Sequence, residues 1–181
     1  MVRLTAFVIT IFGASMLAAC SPAGAGPEAA NSNAAAPQAA TEEQAPADVG
    51  THPTSGLPVI EVLIESASGT HRFKSELAVT PEAQARGLMF RTELADDEAM
   101  LFPSDPPAPR SFWMRNTPIS LDIIYVGVDD KILNIAENTE PYSLESLPSA
   151  GIASSVFEIR GGLSQELGIA AGDRLTYSLP E

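Results

Sequence analysis

Thiols, imidazoles and bases are scarce in this chain, and each shortage closes a route. Among 181 residues there is one cysteine, Cys20, and there are two histidines, His52 and His71. A lone cysteine forms no intrachain disulfide, and two distant histidines do not give the spacing of a zinc site. A serine–histidine–aspartate hydrolase is hard to assemble, since His71 falls at a turn and His52 outside the segment that can fold. Neither a phosphate-cradling glycine loop nor a nucleophile elbow occurs. Ten Lys and Arg face 23 Asp and Glu, a formal charge of −13. That balance argues against binding nucleic acid or anionic headgroups through a general field, while leaving local exceptions open. No cofactor is expected.

Long apolar runs are missing too. The longest, Leu4–Ala19, follows Arg3 and ends at Cys20, and it is shorter than the ~20 residues a spanning helix needs. A basic start, an apolar centre and small residues before a cut describe an export signal over residues 1–19. Leu17-Ala18-Ala19-Cys20 resembles the lipobox of bacterial lipoproteins, in which the cysteine is lipidated and becomes the new N-terminus. Several acyl chains on Cys20 would anchor the chain stably, and no free thiol would remain. The expected location is the periplasmic side of a bacterial envelope. Ser21 rather than aspartate after the cysteine favours the outer membrane over the inner. Residues 20–56, rich in Ala, Pro, Gly, Asn and Gln, cannot bury enough apolar surface to offset their ordering, and read as a disordered tether.

From Leu57 to Glu181 the composition becomes that of one domain. Val59–Ile64 alternates as a strand, residues 66–70 turn, and His71–Val79 returns. Thr80-Pro81-Glu82 predicts a helix start, with threonine as cap and proline in the first turn, and Gly87 supplies the stop. Met100–Phe102 reads as a brief strand closed by a proline-rich loop, Pro103–Pro109. Leu121–Val128 turns at Asp129-Asp130 into Lys131–Ala136 as a hairpin. Glu137–Gly151 is expected to be a long irregular loop, of the kind that often carries function. Val156–Arg160, a helical turn at Leu163–Leu167 and Arg174–Leu179 complete the chain. The fold class expected is α+β, mostly β: a compact, barrel-like sheet of short strands with two short helices.

One stretch, Arg110–Val126, concentrates chemistry. It holds the sole tryptophan, Trp113, with Arg110, Arg115 and an acid, Asp122, among apolar neighbours. Strand alternation sets Phe112 and Met114 against Trp113 and Arg115. Phe112 with Met114 is the better core pair, so Trp113 is expected to face away from the core. Asp122 needs a partner if buried, and an arginine is the partner expected.

Gly87-Leu88-Met89-Phe90-Arg91, Met100-Leu101-Phe102, Trp113-Met114-Arg115-Asn116-Thr117, Leu121-Asp122-Ile123 and Phe157-Glu158 occur in that order. Together they resemble the signature of the domain of unknown function 192 family, DUF192, over roughly Phe73 to Leu179. Ala99 stands where that family has glycine, and Phe157 where it has leucine; neither change touches the polar residues. The resemblance implies a fold and a neighbourhood of polar groups, not an activity.

The polar set is Glu76, Arg86, Arg91, Arg115, Asn116, Asp122 and Glu158. Arg91 or Arg115 could clamp Asp122 or Glu158, and such pairs could simply lock strand register. The functional reading is a ligand site of Arg91, Trp113, Arg115, Asn116, Asp122 and Glu158, binding a small polar, sugar-like ligand or an envelope partner without catalysis. Three alternatives accompany it. Asp122 and Glu158 could form the carboxylate pair of a glycoside hydrolase. Met89, Met100 and Met114 could hold Cu(I), although methionine also fills cores. The domain could be a purely structural adaptor.

Overall fold

The computed structural model describes residues 50–180, so the signal segment, Cys20 and the tether up to residue 49 lie outside the described residues. Its end, residues 50–56, does not belong to a tether: Thr51 bridges Pro58, and His52 and Gly56 close a backbone-bonded turn. Strands β1 (Val59–Ser66), β2 (Gly69–Leu77), β3 (Glu98–Phe112), β4 (Leu121–Gly127), β5 (Ile132–Ala136), β6 (Leu147–Arg160) and β7 (Arg174–Tyr177) form one sheet, in the order β5-β4-β6-β3-β2-β1-β7. Only β2 and β3 run parallel; the other neighbours are antiparallel. The sheet curls into a half-barrel. At one end its edges β5 and β7 meet, where Ile132 donates to Asp173 and Leu175 to Asp130 at 2.9 and 2.8 Å.

Period-two patterning explains why the curl has two cores. Ile60, Val62, Ile64, Leu101, Ile124, Phe157 and Ile159 fill one face, with the short helix α2 (Leu163–Glu166) against it through Leu163. Leu88, Met100, Phe102, Met114, Ile123, Tyr125 and Val156 fill the other. β4 is buried on both faces along its length, which is why its sequence is nearly continuous apolar residues rather than an alternation. Each such side chain contributes roughly 1.5–3 kcal/mol on burial, and the apolar burial along the long strands is concentrated in β4, the first half of β3 and the second half of β6.

Helix α1 (Pro81–Arg86) starts and stops where the sequence indicates. Thr80 Oγ1 accepts from Ala83 N at 3.1 Å, and Gly87, at φ 50°, receives the chain in a left-handed turn. Thr80→Ala should therefore cost about 1 kcal/mol, read as a small fall in urea midpoint, whereas Thr80→Ser should be close to neutral.

Two elements are longer than their sequences suggest. Pro103–Pro109, expected as a loop, is the middle of the 15-residue β3, and residues 147–151 of the expected loop open the 14-residue β6. The two strands pair as a long arm. Register shifts between Pro103 and Ala108 and between Pro109 and Ser111 accommodate the prolines, which cannot donate to a regular ladder.

Candidate functional site

The arm carries Trp113 to the mouth of a cleft. β3 ends at Phe112, which packs half-buried on the second core, and Met114 is fully buried. Trp113 between them turns outward and is 48% exposed. Arg115 stacks on it, its guanidinium carbon 5.5 Å from the ring centroid, a cation–π distance. Beneath lies a cleft of about 300 Å³. Gln84, Arg86 and Met89 form one wall, Arg110, Phe112, Trp113 and Arg115 the other, and Phe102 and Glu158 the floor.

Glu158 is the only acid lining this cleft. In register it lies beside Met100 on β3 and Ile123 on β4, so its carboxyl emerges on the apolar second core. Its residue is 4% exposed, and burial pushes its pKa up to about 8. Glu158 is therefore a neutral hydrogen-bond donor near pH 7. An arginine clamp on Glu158 is not present among the described residues. Tyr125 lies on the same face; burial raises its pKa, and its hydroxyl donates to the Leu147 carbonyl.

Polar order surrounds the arginines. Gln84 on α1 donates to the carbonyls of Ala78 and Pro103 at 3.1 and 2.8 Å, which fixes its amide. Its Oε1 then accepts from Arg110 Nη2 at 3.1 Å, while the Arg110 guanidinium lies 5.7 Å from the Phe112 centroid. Pattern reading does not single out Gln84, and it notes Arg110 in the Arg110–Val126 stretch without placing it in the site. Their signal was only position, α1 and β3 converging in space.

Three further site candidates lie elsewhere. Asp122 is fully buried but has no arginine. Its Oδ1 accepts from Asn138 N at 2.7 Å and Gly162 N at 2.9 Å, and its Oδ2 from Ser164 N at 2.8 Å and Ser164 Oγ at 2.6 Å. Gly162 at φ 82° precedes α2 and offers no side-chain cap, so Asp122 supplies the anion at that helix start from another strand. Arg91 instead pairs with buried Glu76, and His52 completes the group with Nδ1 3.6 Å from Glu76 Oε1. Asn116 shapes the turn beside the cleft. It sits at φ 57°, its carbonyl accepts from Phe90 N at 2.8 Å, and its amide lies 3.7 Å from the Met89 sulfur.

That turn holds strain. Phe90 and Tyr142 also adopt left-handed φ values of 66° and 62°, uncommon for bulky residues. Phe90 N bonds Asn116 O, and Tyr142 N bonds Thr117 O at 3.0 Å. Both rings are exposed. Left-handed bulky residues kept beside a cleft are the usual company of a functional site.

The register also separates the two carboxyls of the hydrolase reading. Asp122 pairs with Ile159, and Ile123 with Glu158. Directly opposed residues share a face, and Ile159 and Ile123 belong to the two different cores. Asp122 and Glu158 therefore point to opposite faces of the sheet and cannot flank one glycosidic bond. Two of the three methionines are engaged in packing: Met100 and Met114 are 1% exposed, and the Met114 sulfur accepts from Thr139 Oγ1 at 3.1 Å, whereas the half-buried Met89 lines the cleft. Among the described residues no three His, Cys, Asp or Glu side chains cluster as metal ligands.

The model of the DUF192 family, described as Uncharacterized ACR, matches residues 63–177. The chain is 49% identical to a protein of unknown function from Novosphingobium aromaticivorans DSM 12444, solved at 1.22 Å. The match covers 78% of this chain and 99% of that one, with a TM-score of 0.70. A candidate transcription regulator from Sinorhizobium meliloti 1021, solved at 1.55 Å, is 37% identical over 65% of this chain and 92% of that one, with a TM-score of 0.62. No curated protein matches the chain.

Proposed function

The chain belongs to the DUF192 family, and we propose that it is a lipid-anchored envelope protein whose Trp113 cleft binds a small polar, sugar-like ligand. The observation that supports this most directly is a half-exposed tryptophan over a cleft edged by Gln84, Arg110 and Arg115 and floored by Glu158. A flat apolar face beside fixed polar groups suits the C–H face and hydroxyls of a sugar ring. An adaptor would have less use for an exposed ring above an open cleft. Regulation by DNA contact, which the description of the Sinorhizobium relative would suggest, fits poorly with a formal charge of −13.

Anchoring follows from Leu17-Ala18-Ala19-Cys20. Cys20→Ser should move the protein from the membrane fraction to the soluble fraction with an unchanged melting temperature. An intact mass of the membrane-extracted protein without acyl chains would remove the anchor from the proposal.

The ligand site is tested by a thermal-shift screen of mono- and oligosaccharides against the full-length protein and Trp113→Ala. A ligand at 100 times its Kd stabilises by about 2.7 kcal/mol, a shift of several degrees. The expected result is a rise for one sugar class in the wild type and none in Trp113→Ala. A rise equal in both proteins would move the site away from Trp113.

A further inference from the structure

We infer that the cleft selects ligands bearing a carboxylate, sugar acids over neutral sugars, through Arg86, Arg110 and Arg115. This rests on the sugar-like reading of the site and sharpens it. All Lys and Arg residues except Arg3 lie among the described residues. Arg72, Lys74, Arg91, Arg160 and Arg174 each reach an acid within 4.0 Å. Arg86, Arg110, Arg115 and Lys131 have no acidic partner among the described residues, and the first three line the same cleft. In a chain with 23 acids, gathering the unneutralised arginines at one concavity is a local reversal of sign, and a cleft focuses such a field.

The only carboxyl in the cleft does not cancel it. Burial keeps Glu158 protonated near neutrality, so it offers a proton to a ligand oxygen rather than a competing charge. Arg110 is held in place by Gln84 at 3.1 Å, so less freedom is lost when it engages an anion. Arg115 lies over the Trp113 ring, beside where a stacked sugar would carry its substituents. Arginine's planar fork matches a carboxylate in two parallel hydrogen bonds.

The test compares galacturonate with its methyl ester, a neutral near-isostere, by calorimetry on the full-length protein in detergent, with inorganic phosphate as a bare-anion control. Galacturonate should bind at least ~10-fold more tightly than the ester, as a charge-assisted hydrogen bond implies. Arg110→Gln and Arg115→Gln should each erase most of that preference, weakening galacturonate by a clearly larger factor than the ester. Rising salt should weaken galacturonate more than the ester. Equal affinity for acid and ester would overturn the inference while leaving the sugar site standing. Equal losses for both ligands in the arginine variants would overturn it as well. Phosphate binding as tightly as galacturonate would make the arginines a general anion site and overturn the sugar-acid assignment. Absence of binding by every sugar tested would remove both the inference and the reading beneath it.

Discussion

Asp122→Ala is expected to lower stability by about 4–5 kcal/mol, the largest effect of any single side-chain truncation outside the apolar cores. The carboxylate collects four hydrogen bonds at 2.6–2.9 Å, three from the backbone of Asn138, Gly162 and Ser164. Truncation strands those donors in a buried place, at roughly 1–3 kcal/mol for each one water cannot reach. Asp122→Asn keeps the shape but turns one amide –NH2 toward donors, since both carboxylate oxygens are accepting, and should lose about half as much. Asp130→Ala, which removes an exposed contact with Arg174 at 3.3 Å, should cost under ~1 kcal/mol. Urea midpoints of the three variants give the comparison. Similar midpoints for Asp122→Ala and Asp130→Ala would contradict the burial of Asp122.

Glu158 sets a pH dependence of opposite sense to the usual carboxylate. Burial raises its folded pKa to about 8, above the ordinary 4.5 of a free glutamate. Below pH 4.5 both states are protonated and the group contributes no difference. Between 4.5 and 8 the unfolded chain has released the proton and the folded chain still holds it, so stability falls as pH rises. At 1.36 kcal/mol per pH unit, that span is worth roughly 4–5 kcal/mol, complete by about pH 8. Glu158→Gln cannot ionise and should be free of this loss. Its stability relative to wild type should be near zero or slightly negative at pH 4.5 and positive by several kcal/mol at pH 8.5. Taking the difference between the two proteins cancels the other titrating groups, which they share. A difference that does not change between pH 4.5 and 8.5 would place the Glu158 carboxyl in solvent.

Much of this fold could be read from residue patterns, because the signals were local. Thr80, Pro81 and Gly87 mark α1 through backbone chemistry confined to eight residues. The outward turn of Trp113 follows from alternation against Phe112 and Met114, and the barrel-like curl from many short strands separated by turn signals. What escaped reading depends on partners far apart in sequence. The prolines of 103–109 look like a loop until β6 pairs alongside with register shifts to absorb them. Asp122 suggested an arginine because side chains are written in a sequence, whereas its donors are backbone groups, which leave no letter. Arg91 has the right chemistry for a ligand site, but Glu76, on a neighbouring strand, takes it up. Glu158 reads as an ion among arginines, yet its register places it over Met100 and Ile123, where burial decides its charge.

Trp113 reports its own surroundings, since the chain has no other tryptophan. Acrylamide quenching of its fluorescence, in the free protein and at saturating sugar acid, is therefore the most direct test of the cleft as a ligand site. The account predicts strong quenching in the free protein, in keeping with 48% exposure, and a marked fall once the ring is covered by ligand. Weak quenching of the free protein, or quenching that no sugar or sugar acid reduces, would contradict it.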